Sequence, residues 1–270
     1  MAEMTPMKRQ YYEIKQQHTD CLLFFRLGDF YEMFDEDART AAKELDLTLT
    51  TRDRNVENPD ERTPMCGVPY HAAEAYIGRL IAKGYKVAIC EQMEDPALAK
   101  GLVKRDIIRI ITPGTVTESS MLEEGKSNYL AAAYLEGDQG AVAFCDISTG
   151  EFCAADFPEN AATHILNELG RFSPREAVLS PGAVQNAEIY AFLQKRLGCM
   201  VEADGGRFEA DAAAKTLCAQ FGAENVDALE LGNAPSAVCA AGALVAYAQE
   251  TQKTDFILVS GWRCAQVWLC

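Results

Sequence analysis

The chain has 270 residues, 49% of them hydrophobic, enough for one large domain or two ordinary ones with packed cores. The formal net charge of −15 opposes contact with nucleic acid, but it is uneven: residues 1–115 carry 16 Lys+Arg against 19 Asp+Glu, whereas residues 116–270 carry 9 against 21. Apolar stretches such as Val238 to Ala248 are too short and too alanine-rich for a membrane span, and the polar N-terminus shows no signal peptide, so a cytoplasmic protein is expected.

Thr5 as N-cap and Pro6 at the first helical position open a helix whose Met7, Tyr11 and Ile14 share one face. Leu22 to Leu27 is an apolar run of strand length, stopped by the turn signal Gly28-Asp29. Phe30 to Phe34 resumes as a short strand, so the two form a hairpin-like unit. Asp35, Glu36 and Asp37 start a helix that runs through Ala41, Ala42 and Leu45. Leu47 to Thr51 alternates apolar residues with threonine and is expected as a strand. The polar stretch Thr51 to Thr63 reads as a surface loop, Pro64 to Tyr70 as a constrained extended segment, and a helix from about His71 ends at Gly84. Strands at Lys86 to Cys90 and Ile107 to Ile111 complete a mixed-sheet α/β domain over residues 1–115.

Thr112 to Lys126 is rich in Thr, Ser, Glu, Pro and Gly, which places a linker at residues 116–127. The second domain, 128–253, opens with strands Tyr129 to Leu135, Ala141 to Ile147 and Glu151 to Ala155, joined by turns. Helices about Asn160 to Leu169 and Ala187 to Leu197 then alternate with strands Ala177 to Leu179 and Cys199 to Glu202. Two helices follow, about Ala210 to Phe221 and Ser236 to Gln249. Three antiparallel strands and then alternating α/β elements is the order of a ribonuclease-H-like domain, which is a statement about fold and not about activity. Residues 254–270 depart from this pattern: both tryptophans, Trp262 and Trp268, fall there without periodic partners, which suggests a truncated or out-of-frame ending.

Ten cysteines are scattered without a C-x-x-C pair, and His18, His71 and His164 lie far apart, so neither zinc nor a disulfide framework is expected. Gly125-Lys126-Ser127 imitates the end of a phosphate-binding loop, but Ser120 holds the place of that motif's first glycine and no buried strand precedes it. Asp146, on an early strand of a ribonuclease-H-like domain, is a candidate for a two-metal carboxylate cluster, although no second carboxylate falls convincingly beside it. A metal-dependent nuclease is therefore the competing class, and a protein-interaction module a third.

The segment Arg26-Leu27-Gly28-Asp29-Phe30-Tyr31-Glu32-Met33-Phe34 resembles the Phe-x-Glu motif of the MutS family of DNA mismatch repair proteins. Thr5-Pro6-Met7 with Tyr11, Gly67 to Ala72, Val87 to Gln92 and Val103 to Thr115 are similar to collinear blocks of that family. The likeness is close over residues 1–115 and looser through Asp146-Ile147-Ser148-Thr149-Gly150. It implies a mismatch-binding domain followed by a connector, with double-stranded DNA carrying mismatches as partner and Phe30 and Glu32 as its contacts. It further implies a second MutS subunit and repair proteins docking on the connector. The ATPase, with its ATP and Mg, is implied only for a C-terminal part outside these residues, so no catalytic residue or cofactor is expected here.

The residues support a physical reading beside the resemblance. Phe30 and Glu32 are two apart on a strand and share a face. An aromatic ring entering the minor groove unstacks a base step, at a cost of about a few kcal/mol that is smaller at a mismatch. Stacking of the ring returns roughly 1–3 kcal/mol, so the wedge tests deformability and not a base code. Glu32 would accept or donate at an exposed base edge and repel well-paired DNA; facing a purine nitrogen it would have to carry a proton, which the polyanion favours. The opposing reading makes Phe30 to Phe34 a core strand with Glu32 as its solvated side chain. Met65 is a candidate minor-groove contact or a core residue, and Arg52, Arg54 and Arg62 are candidate phosphate contacts or solvated surface charge.

Overall fold

The computed structural model describes residues 5–52, 62–95 and 101–253. The chain forms two compact units, the first reaching Thr112 and the second beginning at Pro113. Both are α/β. Among the described residues, no helix is long and apolar enough to cross a membrane.

The first unit runs α1 (Pro6–Gln17), β1 (Cys21–Leu27), β2 (Phe30–Phe34), α2 (Asp35–Leu45), β3 (Thr50–Thr51), β4 (Pro64–Pro69), α3 (Ala73–Ala82), β5 (Lys86–Gln92) and β6 (Arg105–Ile111). Its six strands form one mixed sheet in the order β3-β4-β2-β1-β5-β6, parallel only between β1 and β5. Thr5 caps α1, its hydroxyl accepting the Lys8 N–H, and Pro6 follows as expected. Tyr11 on α1 packs with Leu23, Phe25, Phe34, Ala88 and Cys90 on one sheet face. The opposite face carries Met33 and Cys66 and receives α2, where Cys66 Sγ donates to the Ala38 carbonyl.

Asp37 knits this unit together at the end of β2. It accepts the Tyr11 hydroxyl at 3.2 Å and the Leu23 N–H at 3.0 Å, and pairs with Lys15 at 2.9 Å. Tyr11 Oη in turn accepts the Phe34 N–H at 3.3 Å. The Leu23 amide faces the point where β2 gives way to helix, so a side chain supplies the acceptor that the ladder lacks.

The strand expected over Leu47 to Thr51 is shorter: only Thr50–Thr51 pair, with Met65 and Pro64. Asp46 ends α2 in the left-handed conformation at φ 57°, and Pro64 has no N–H with which to extend an edge ladder. The helix expected from His71 begins as a 3-10 turn over Tyr70–Ala72 before α3.

The second unit contains β7 (Tyr129–Glu136), β8 (Gln139–Asp146), β9 (Glu151–Phe157), α4 (Ala161–Phe172), β10 (Glu176–Leu179), α5 (Pro181–Gln185), α6 (Ala187–Ala191), β11 (Met200–Ala203), α7 (Ala210–Phe221) and α8 (Pro235–Gln252). The sheet order is β11-β10-β7-β8-β9, antiparallel across β7, β8 and β9 and parallel across β7, β10 and β11, which is the ribonuclease-H-like arrangement. The strands alternate between two cores. Ala131, Ala133, Val142 and Phe144 pack against Ile165 and Leu169 of α4, while Leu130, Ala132, Ala143 and Cys145 pack against Leu217 of α7 and Leu244 of α8. The helix expected over Ala187 to Leu197 is α6 followed by a π-helical turn over Phe192–Leu197, closed by Gly198 at φ 62°.

Candidate nucleic-acid interface

The β1–β2 hairpin is the element that singles out one end of the first unit. Leu27 pairs with Phe30 across a two-residue turn, and Gly28 at φ 60° supplies the positive φ that the first central position requires. Arg26 Nε donates to the Gly28 carbonyl at 2.5 Å, and the Tyr70 N–H donates to the Asp29 carbonyl at 2.9 Å, so the turn is held from two sides.

Five consecutive residues of β2 have different fates. Tyr31, Glu32, Met33 and Phe34 are buried, whereas Phe30, at the strand's open end, is 46% exposed. The ring is therefore not part of the core, and Tyr31 and Met33 face away from it as strand alternation requires. Because β1 and β5 are parallel and β2, β4 and β6 run against their neighbours, the Phe30 end of the sheet also carries Tyr70, Met93 and Leu102. All three are exposed apolar side chains, which makes this rim the apolar end of an otherwise ordinary sheet.

Glu32 differs from the solvated side chain or free inspector that the sequence suggests. It is 7% exposed, and its carboxylate is held by a two-pronged ion pair: Arg52 Nε donates to Oε2 at 2.9 Å and Nη2 to Oε1. Arg52 follows β3, and β4 lies between β3 and β2. The β4 residue opposite Glu32 is Gly67, where a Cβ would come within 3.4 Å of Glu32 Cγ and 3.1 Å of the Tyr31 carbonyl. A side chain at this position would crowd Glu32 itself.

The other sequence candidates fall at different depths. Met65 is partly buried, pairs with Phe34 and Thr50 and packs against the Tyr11 core. Arg62 is half-buried just ahead of β4. Arg54 lies outside the described residues.

Sequence reasoning missed two arginines. Arg26 lies 3.6 Å from the Tyr70 ring centroid and pairs with Glu91 at 3.1 Å, and the Tyr31 hydroxyl donates to the same carboxylate. Burial, then the Glu91 hydrogen bond, pushes the Tyr31 hydroxyl pKa upward. Arg105 is 8% exposed and sits over the Phe25 ring, donating to the Arg26 carbonyl at 2.7 Å and to Gln10 Oε1 and the Val103 carbonyl, both at 2.9 Å. None of these acceptors is a carboxylate, so its charge is uncompensated among the described contacts, and burial lowers its pKa from the usual arginine range. The alternation of Arg105 with Ile107 on a strand was the only available signal.

The family model for MutS domain I matches residues 5–120, and that for MutS domain II matches residues 128–260. The chain belongs to the MutS family. It is 46% identical over 256 residues to the DNA mismatch repair protein MutS of Acetivibrio thermocellus, an alignment that covers 94% of this chain and 29% of that protein. The MutS of Clostridium novyi is 58% identical over 176 residues, and that of Clostridium botulinum (strain Hall) 59% over 176, each covering 65% of this chain and 19% and 18% of the relative. The chain thus spans under a third of the length of the curated MutS relatives it matches.

Asp146, the candidate metal ligand, is 1% exposed and fully engaged: it accepts the Asn128 N–H at 2.9 Å, the Ser148 N–H at 2.9 Å and the Ser148 hydroxyl at 2.6 Å. Its role is to close the loop after β8. Among the described residues no cluster of His, Cys, Asp or Glu is arranged to hold a metal ion. Around Gly125-Lys126-Ser127 there is a 3-10 turn in place of a buried strand, and Lys126 pairs with Glu123.

Proposed function

We propose that this chain is the mismatch-sensing and connector part of a DNA mismatch repair protein, with residues 1–115 meeting mispaired or unpaired bases in duplex DNA and residues 128–253 serving as connector. The observation that carries the reading is the 46% exposure of Phe30 on a strand whose other residues are buried. An apolar ring left in water at a rigid strand end gains by entering a base stack. The gain of roughly 1–3 kcal/mol exceeds the unstacking cost only where the stack is already weak.

Met65, Arg52, Arg54 and Arg62 are further proposed contacts, the arginines to phosphates. In this reading the chain itself performs no catalysis. An ATPase with ATP and Mg, and a second MutS subunit, belong to the greater length of the relatives, and the whole works in the cytoplasm. The acidic connector is the proposed docking surface for other repair proteins.

Phe30→Ala tests the reading. In the full-length protein that carries these residues it is expected to bring heteroduplex and homoduplex affinities to within about twofold of each other, a loss on the scale of one stacked base. Retention of the wild-type preference overturns the proposal.

A further inference from the structure

We propose that Arg52 is a specificity-determining residue that masks Glu32 in the free protein and is drawn onto a DNA phosphate when the wedge enters. This rests on the mismatch-sensing reading above and deepens it. Both Glu32 oxygens are taken, Oε2 by Arg52 Nε and Oε1 by Nη2, so neither is available to a base edge while the pair stands. The pair is lopsided: the Glu32 side chain is 9% exposed and that of Arg52 48%. The arginine is the partner that can leave without opening the core. It follows a two-residue edge strand, β3. A guanidinium fork fits a phosphate as well as it fits a carboxylate, and a duplex backbone presents many phosphates.

The exchange makes discrimination follow from what replaces the arginine. On any duplex Arg52 finds a phosphate. Only at a disrupted pair does Glu32 find a new partner, an unpaired base edge. At a matched pair its carboxylate is left bare beside the polyanion. The latch therefore penalises matched DNA more than mismatched DNA. A static clamp, with Arg52 staying on Glu32 in the complex, would do the opposite and shield the carboxylate on every duplex.

The sign of one coupling separates these two models. Matched-duplex affinity is measured at fixed salt for the full-length protein and its Glu32→Gln, Arg52→Gln and doubly substituted variants. Exchange predicts that Glu32→Gln tightens matched binding in the wild-type background, because no pair has to be broken. The same change tightens binding about fivefold less in the Arg52→Gln background, the scale of one solvent-accessible ion pair. A larger gain in the Arg52→Gln background, or an equal one, overturns the proposal. If Glu32→Gln does not fold, Glu32→Asp, too short for the fork, replaces it with the same ordering expected. Phe30→Ala is run alongside. Should it leave mismatch preference intact, the function reading falls and this inference with it; should it remove the preference while the cycle is additive or reversed, only the Arg52 exchange falls.

Discussion

Replacing Asp37 by alanine removes the single acceptor on which α1, β1 and the end of β2 converge. The Leu23 N–H, at 3.0 Å from Oδ2, would be left without a partner inside the sheet. A buried orphaned amide costs about 1–3 kcal/mol. The buried Tyr11 hydroxyl would lose its acceptor at 3.2 Å while still accepting from Phe34, adding about 1 kcal/mol. Lys15 adds little, because it is 23% exposed and also donates to the Cys21 carbonyl at 2.6 Å. The expected loss for Asp37→Ala is therefore about 2–4 kcal/mol. Asp37→Asn, which keeps one acceptor oxygen, should lose about half as much. Urea unfolding followed by far-UV circular dichroism, with unchanged slope, measures both. A loss below about 1 kcal/mol for the alanine variant, or equal losses for the two, would refute the convergence argument. Because Asp37 lies beyond the opposite end of β2 from Phe30, the ratio of heteroduplex to homoduplex affinity should not change in the folded protein.

Three further outcomes follow from the same geometry. Gly242→Ala places a Cβ 2.4 Å from Ala213 Cβ and 2.6 Å from its carbonyl, so α7 must move off α8, at a cost of about 1–3 kcal/mol visible as a lowered Tm. Burial pushes the Cys66 thiol up to about 11 and those of Cys21 and Cys90 up to about 12. The fold thus holds these groups protonated; their contribution is intact below about pH 8.5, where unfolded thiols titrate, and is lost as pH rises towards 11–12, so the Tm should fall across that window and a flat Tm would contradict it. Asp146→Asn should behave as a stability change of about 1–2 kcal/mol, since one of three donors loses its acceptor. Mg²⁺-dependent DNA cleavage by the unsubstituted chain, abolished by that change, would restore the nuclease reading.

Much of the β1–β2 hairpin was legible in the sequence because it is local. Gly28-Asp29 announces the turn, a short apolar run after it announces the strand, and period two puts Phe30 and Glu32 on one face. The partner of Glu32 was not legible, because Arg52 is twenty residues away in sequence and two strands away in space. Only the strand order β3-β4-β2 brings them together. Arg105 was hidden for a similar reason: its acceptors are backbone carbonyls and a glutamine of α1, which no charge pattern reveals. In the second unit the strand order could be read from the succession of elements. The break of the expected Ala187 to Leu197 helix into α6 and a π-helical turn could not, since no proline or glycine marks it.

The central claim is that an exposed ring pries apart a weak base step. A fluorescent adenine analogue, placed beside a mismatch, brightens when it loses its stacking neighbours. Binding of the unsubstituted full-length protein is expected to raise that signal, and the Phe30→Ala protein, at concentrations that saturate the same duplex, is expected to leave it unchanged. An equal rise with and without the ring would contradict the account.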